Sequence, residues 1–283
     1  MTVVDRDEFL RRLGASGLPA QAAALVGLLE PSIRLRRQPA RDAGIAIGAT
    51  KLGGLPDLPP GVAWPSFRGV PQSFIVQIDL ADVAGLAGTD VLPPSGLLSV
   101  FFDAEQTWGS EPEDRGAWKV MYTEAGRPLE RTPFPAELPE HARFNASALR
   151  PEVELTLAAY DAVEVGVAGI DVDDRGVSAL FDDVHDAAPG GEHIHRLLGH
   201  PEPVQGGRMA LDAHLTASGD RGDGASAKQA RAAAASWRLL LQIDSDDHAG
   251  MMWGDSGRIY FWIRREDLAR RDFDGVWCIL QCH

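Results

Sequence analysis

Short apolar runs separated by glycine and proline predict a chain with more strands than helices. Continuous or alternating apolar residues predict strands at 32–38, 44–48, 74–80, 96–103, 118–122, 153–159, 237–244, 258–263 and 276–280, with strand-like pieces in 161–177. Strands and helices do not alternate regularly along the chain. This order favours an α+β fold with a mostly antiparallel sheet and short peripheral helices.

Helical patterns are few and short. They predict helices at 5–12, with Gly14 as the stop, and at 19–30, 226–236 and 265–270. A loop rich in glycine and proline at 53–65 excludes helix or central strand there, and a second loop, rich in glycine, proline and histidine, spans 190–207. The stretch 216–224 has the composition of a disordered segment.

Three motifs occur twice in the same order, which predicts an internal duplication. KLGGLPD at 51–57 matches RLLGHPE at 196–202, FIVQID at 74–79 matches LLLQID at 239–244, and SGLLSVF at 95–101 matches SGRIYFW at 256–262. The offsets are 145, 165 and 161 residues. We expect an N-terminal helical segment, 1–40, packed on a single domain, 41–283, built from two β-rich halves at about 44–160 and 190–282.

Charge, apolar content and cysteine content limit the partners and the location that we expect for this protein. The 283 residues carry a net charge of −14, with 41 acidic and 27 basic residues, which argues against nucleic acid as the main partner. No apolar stretch is long enough to cross a membrane, and the N-terminus does not resemble a signal peptide. Cys278 and Cys282 would lie about 13 Å apart on one strand, too far for a disulfide. We therefore expect a cytoplasmic protein.

The repeated Gln-x-Asp strands supply the first candidate site. Gln77 and Asp79 share one face of their strand, as do Gln242 and Asp244. A polar pair in an apolar strand must form hydrogen bonds or lose a few kcal/mol. One interpretation is a ligand or partner site where the two halves meet. The other, which we favour, is two buried networks that hold the neighbouring loops.

A second candidate follows directly, between residues 244 and 257. Four aspartates lie within twelve residues, but the positions of glycine and acid do not fit a calcium-binding helix-loop-helix. Turn chemistry explains Asp255-Ser256-Gly257 better. Trp253 and Asp255 nevertheless join the candidate ligand or partner site, since an exposed tryptophan is typical of a binding surface.

Histidines in the second loop are candidate metal ligands. His193 and His195 share a face if the segment is extended, and His200 follows. A closed zinc site needs four ligands, and the cysteines lie far along the chain. We favour solvated loop histidines and assign no metal and no cofactor. The sequence also lacks a nucleophile elbow and a phosphate loop, so no catalytic residue is assigned.

The ordered motifs resemble one bacterial family. KLGGLPDLP at 51–59, WP at 64–65, QID at 77–79, LLQID at 240–244, WGDSG at 253–257 and FWI at 261–263 are similar to those of the YwqG-like proteins. The resemblance covers about residues 40–282. It implies one integrated β-rich domain in a cytosolic protein, and it carries no catalytic residues.

These observations favour a non-enzymatic binding protein. The acidic composition fits a protein partner with a basic surface, and the resemblance suggests toxin neutralisation as one such role. No nucleic acid and no membrane are expected as partners. The alternative is an enzyme or small-ligand-binding protein that uses a polar site where the two halves meet.

Overall fold

The computed structural model describes residues 2–3, 5–186, 193–219 and 226–283. Within these residues the strands are β1 (Thr2–Val3), β2 (Leu29–Gln38), β3 (Lys51–Leu52), β4 (Asp57–Leu58), β5 (Ser66–Phe67), β6 (Val70–Pro71), β7 (Ser73–Asp79), β8 (Leu97–Phe102), β9 (Trp118–Thr123), β10 (Glu130–Arg131), β11 (Ser147–Leu157), β12 (Arg196–Leu197), β13 (Trp237–Asp244), β14 (Arg258–Arg264) and β15 (Trp277–Gln281). The α-helices are α1 (Arg6–Ala15), α2 (Ala22–Gly27), α3 (Val163–Val167), α4 (Arg175–Asp186), α5 (Met209–Ser218), α6 (Ser226–Ala234) and α7 (Arg265–Ala269).

One large antiparallel sheet organises the chain. Its order is β15-β14-β13-β12-β2-β11-β3-β7-β8-β9, and β1 pairs with the end of β11 that β3 leaves free. Two small ribbons, β4–β10 and β5–β6, lie outside it. The predicted α+β class with a mostly antiparallel sheet and short helices is therefore confirmed.

The pairing of β2 with β11 lies at the centre of the sheet. Ten consecutive residue pairs join these strands, from Gln38 opposite Ala148 to Leu29 opposite Leu157. The free edge of β11 then takes β3, and the free edge of β2 takes β12. Two arms of four strands, β3-β7-β8-β9 and β12-β13-β14-β15, attach to opposite edges of this pair. Their outer strands meet again, since Trp118 of β9 packs on Trp277 of β15 with ring centroids 4.9 Å apart.

The two arms have matching irregularities. Each begins with a two-residue strand and continues with a strand that bears one register shift. The shift lies between Phe74 and Val76 in one arm and between Leu239 and Leu241 in the other. These positions differ by 165 residues, the offset of the FIVQID and LLLQID motifs.

The repeated glycine of the first motif is explained by close packing. Gly54 and Gly199 both have positive φ, +72° and +69°. A Cβ at Gly54 would lie 2.7 Å from the Cβ of Ala146, and one at Gly199 would lie 2.5 Å from the Cβ of Ser32. Both glycines follow the short first strand of an arm, where the backbone turns against the central pair.

The hydrophobic core has two principal parts. The larger covers the sheet and includes α5, while the smaller lies between the sheet and helices α1 to α4, with Phe9, Leu157 and Phe181 at its centre. The strand-like pieces predicted in 161–177 are wrong, because this segment forms α3 and the start of α4. Val177, Leu180, Phe181 and Val184 line one face of α4, which fits the helical period.

Other predicted boundaries also shift. The helix predicted at 19–30 is limited to α2, because β2 begins at Leu29 and carries Pro31 within it. The predicted strand at 44–48 is wrong, since no strand occurs there among the described residues. The helix α1 passes Gly14 and ends at Ala15. Of the segment predicted to be disordered, 216–218 ends α5, and 220–224 lies outside the described residues.

Cys278 and Cys282 are both buried and unpaired, which confirms that they form no disulfide with each other. Among the helices in the described part of the chain, none is long and apolar enough to cross a membrane.

We expect Gly199→Ala to destabilise the protein more than Gly61→Ala. Both glycines have positive φ, so each substitution costs about 1–2 kcal/mol of backbone strain. Only the Cβ at position 199 meets other atoms, which adds about 1–3 kcal/mol of overpacking. Urea unfolding of the two variants measures the difference. Equal losses of unfolding free energy would contradict the close-packing explanation.

Candidate functional site

Gln77 tethers the first glycine-proline loop to its strand. Its side chain is fully buried. The Oε1 atom accepts a hydrogen bond from the amide of Asp57 at 3.0 Å, and Nε2 donates to the carbonyl of Ala49 at 2.8 Å. Nε2 also donates to the carboxylate of Asp57 at 2.7 Å. The amide group therefore holds the chain on both sides of β3, at Ala49 before the strand and at Asp57 where β4 begins.

Gln242 makes the matching contacts in the other arm. Its Oε1 accepts from the amide of Glu202 at 2.8 Å, and its Nε2 donates to the carbonyl of Ile194 at 2.8 Å. Glu202 and Ile194 stand 145 residues after Asp57 and Ala49. Both glutamines thus supply hydrogen-bond partners to backbone groups at matching positions of the two arms.

The two aspartates are used differently. Asp79 accepts a hydrogen bond from the amide of Ala81 at 3.0 Å and begins a turn at the end of β7. Asp244 is more deeply buried, where its carboxylate accepts from the amide of Ile194 at 2.8 Å and pairs with Arg258 at 3.0 Å. Asp244 and Gln242 together fix the segment that precedes β12.

The structure does not bring the four Gln-x-Asp side chains together. The side-chain contacts of Gln77 and Asp79 join residues 49–81, whereas those of Gln242 and Asp244 join residues 194–258, so each pair serves its own arm. Trp253 is buried, donates to the carbonyl of Asp244 at 3.1 Å and packs on Phe102 and Phe144. Asp255 is exposed on a separate turn. Ligand binding by these residues stays a prediction.

A cluster of histidines surrounds Asp246 at the end of β13. His195 and Asp246 are buried, while His193 and His248 have exposed side-chain fractions of 38% and 63%. The expectation of solvated loop histidines is therefore wrong for His195, and for His200, which is also buried. Tertiary packing of the second loop against β13 and β2 removes both rings from water.

Hydrogen bonds fix the orientation of the Asp246 carboxylate. Oδ1 accepts from the amides of His248 and Ala249 at 2.9 and 3.1 Å, and Oδ2 lies 3.3 Å from Nε2 of His195. Nδ1 of His195 accepts from the amide of Asp244 at 3.2 Å, so the ring proton sits on Nε2 and points at Asp246. Burial opposes ionisation, but these hydrogen bonds outweigh it and lower the pKa of Asp246 below its ordinary value.

Three side chains of the cluster, those of His193, His248 and Asp246, face one another. The ring nitrogens of His193 and His248 lie 3.8 and 3.7 Å from Oδ1 of Asp246, and the three atoms are mutually within 4.8 Å. The guanidinium of Arg37 lies on the other side of the carboxylate, 3.7 Å from Oδ2. Asp246 is one of the four aspartates between residues 244 and 257, and the sequence pattern alone assigned it no ligand role. Its signal was the Asp-x-His pair at 246–248, which only the pairing of β12 with β13 brings to the His-x-His pair.

We expect Gln242→Leu to cost about 2–4 kcal/mol of unfolding free energy. The change leaves the buried amide of Glu202 without its acceptor, at about 1–3 kcal/mol, and removes the part-buried hydrogen bond to the carbonyl of Ile194, at about 1 kcal/mol. Chemical denaturation measures the loss. Gln38→Leu, at the exposed end of β2, is the control and should stay within about 0.5 kcal/mol of the parent. A loss no larger than that of the control would exclude the tethering role.

We expect His200 to make the protein less stable in mild acid. Burial lowers the pKa of His200 from 6.5 to about 4. Between these values the unfolded chain binds a proton that the folded chain does not, so unfolding free energy falls as pH falls from about 6.5 to about 4. The slope is about 1.4 kcal/mol per pH unit. His200→Asn should flatten it in denaturation measured across this range, and exposed His141→Asn should not. Equal slopes in all three proteins would contradict this assignment.

Comparison with known proteins adds one relationship. The family model described as "Domain of unknown function (DUF1963)" matches residues 50–282, which include both arms of the sheet and the histidine cluster. The chain matches no curated protein. Since the match covers most of the chain, this protein belongs to the DUF1963 family, a domain of unknown function.

Proposed function

We propose that this protein is a non-enzymatic binding module that docks a basic protein partner on the outer face of α1 and α4. The observation that carries the proposal is the charge of this acidic face. Its exposed acidic residues are Asp5, Asp7, Asp171, Asp173, Asp182, Asp183 and Asp186, against three exposed bases, Arg6, Arg11 and Arg175. Such a surface accelerates and orients docking of a basic partner.

The geometry of the acidic face supports docking. The helices α1 and α4 contact each other, and Arg12 pairs with Asp183 across them at 2.8 Å. Leu10 lies on the exposed side of α1 with 41% of its surface in contact with solvent. An apolar side chain among charges is typical of the centre of a protein interface. A basic toxin domain, neutralised by this face, is one partner of the required chemistry.

The polar core residues hold loops in place, which supports a non-enzymatic role for the protein. Gln77, Gln242 and Asp244 are engaged in hydrogen bonds that hold loops. We also propose that the two arms derive from an internal duplication, because their features match in the same order: the glycine turns and tethered loops at an offset of 145 residues, and the glutamines and register shifts at 165. The YwqG-like assignment belongs to the same proposal.

A small-ligand-binding protein is the second candidate, and one groove favours it. The cavity has a volume of about 440 Å³ and lies among α3, α5 and α6. Tyr160 and Val167 offer apolar surface, while Arg208, Lys228 and Arg231 contribute positive charge. This combination suits an anionic ligand with an apolar part.

We expect charge reversal on the acidic face to abolish partner capture. The double change Asp182→Lys and Asp186→Lys places positive charge near the carboxyl end of α4, where it is compatible with the helix. A tagged chain is used for capture from its own host at moderate salt, and binding of the captured protein is then measured with purified components. We expect the double variant to bind at least about tenfold more weakly, equivalent to about 1.4 kcal/mol.

Two controls separate the candidates. Glu113→Lys with Glu137→Lys makes the same charge change at exposed positions outside the acidic face and should bind normally. Val167→Glu introduces a charge into the groove and should also bind normally. Failure to capture a stoichiometric partner, or equal weakening by the control pair, would overturn the proposal. Loss only with Val167→Glu would move the site to the groove.

A further inference from the structure

We infer that His193, Asp246 and His248 form a binding site for a first-row divalent transition metal, with Zn²⁺ as the representative ion. The donors are Nε2 of His193, Nδ1 of His248 and the carboxylate of Asp246. Two imidazoles and one carboxylate suit zinc or ferrous iron, whereas calcium and magnesium prefer oxygen ligands alone. The site is independent of the acidic face proposed for the protein partner.

The spacing of the donors fits a shared ion better than direct contact. Separations of 3.7 and 3.8 Å are too long for hydrogen bonds between the imidazoles and Asp246. Two ligands on one tetrahedral zinc, with bonds of about 2.0–2.1 Å, lie about 3.4 Å apart. A contraction of a few tenths of an ångström brings each imidazole nitrogen to this distance from Asp246. The two imidazole nitrogens lie within 4.8 Å of each other and approach by up to about 1.4 Å. His193 and His248 are exposed enough to move by that amount, while Asp246 stays fixed.

The support of Asp246 matches the second layer of a metal site. His195 donates through Nε2 to Oδ2 and is itself held by the amide of Asp244. Asn145 donates to the carbonyl of His248 at 3.3 Å and so limits the turn. Hydrogen bonds of this kind orient ligands before the ion arrives. His195 is accordingly a positioning residue, and its Nε2 is not a ligand.

The other arm forms a matching loop without these histidines. At the positions 145 residues earlier stand Gly48 and Thr50 in place of His193 and His195. Thr50 Oγ1 accepts from the amide of Asp79 at 2.9 Å and donates to Asp82 at 2.6 Å, which parallels His195 between Asp244 and Asp246. A threonine therefore completes this loop. The imidazoles of the second arm add ligand chemistry to the same backbone arrangement.

Three protein ligands leave the ion open to solvent. A closed structural zinc site uses four protein ligands, whereas sites with three keep a position for water or another molecule. The exposure of both histidines places that position at the surface. The site therefore takes an exchangeable ion.

Metal titration of the purified full chain tests the inference. The protein is stripped with a chelator, and Zn²⁺ binding is measured by calorimetry near neutral pH, where imidazole is available to bind. Co²⁺ absorption in the visible range reports the ligand geometry. We expect one equivalent of Zn²⁺ with a micromolar or tighter dissociation constant. His193→Ala and His248→Ala should each weaken binding at least about tenfold, since each removes one ligand, and the double variant should lose it.

Matched variants keep the test decisive. His141→Ala removes an exposed histidine outside the cluster and should bind like the parent. His195→Asn should weaken Zn²⁺ binding about 10- to 100-fold while His193 and His248 remain. Circular dichroism confirms that each variant is folded. No saturable binding of Zn²⁺ or Co²⁺ up to millimolar concentration, or unchanged binding by the double variant, would overturn the inference.

Discussion

The antiparallel pairing of β2 with β11 is the interaction on which the rest of this fold depends. Its ten residue pairs are the longest register in the sheet, and both arms attach to its free edges. Charges strengthen it, because Glu154 on β11 accepts from Arg34 on β2 at 3.0 Å and from Arg196 on β12 at 2.7 Å. Arg196 is fully buried, so loss of this carboxylate would leave a guanidinium in the core.

The second constraint is that loops at the start of each arm must satisfy their backbone groups inside the protein. The strands β3 and β12 are only two residues long and pair few of these groups. Gln77 and Gln242 compensate, since one side-chain amide can accept from one backbone amide and donate to a carbonyl. The same requirement explains why both motifs contain glycine, because Gly54 and Gly199 allow the loop to approach the central strands. In each arm, the short first strand, the glutamine that holds its loop and the glycine at its turn therefore form one structural unit.

Much of this unit was predictable from the sequence. The repeated Gln-x-Asp motif predicted buried networks in strands, and the apolar runs located β7, β8, β9, β13, β14 and β15. The helices α3 and α4 were missed because their acidic residues hide the 3.6-residue period of Val177, Leu180 and Val184. The relation between Asp246 and the histidines was missed for another reason. Their segments are about fifty residues apart, and only the register of Arg196 opposite Gln242 brings them together.

A comparison of the two arms distinguishes side chains that the backbone arrangement requires from side chains that it does not require. Where two segments of one chain share a backbone arrangement, a side chain that differs between them is not required by that arrangement. Thr50 closes its loop with a hydroxyl, and His195 closes the equivalent loop with an imidazole that also orients a buried carboxylate. Gly48 presents no side chain where His193 presents a ring nitrogen 3.8 Å from Asp246. Of the proposed ligands, His193 thus stands on a position that the first arm fills with glycine, so the shared backbone arrangement does not account for its imidazole.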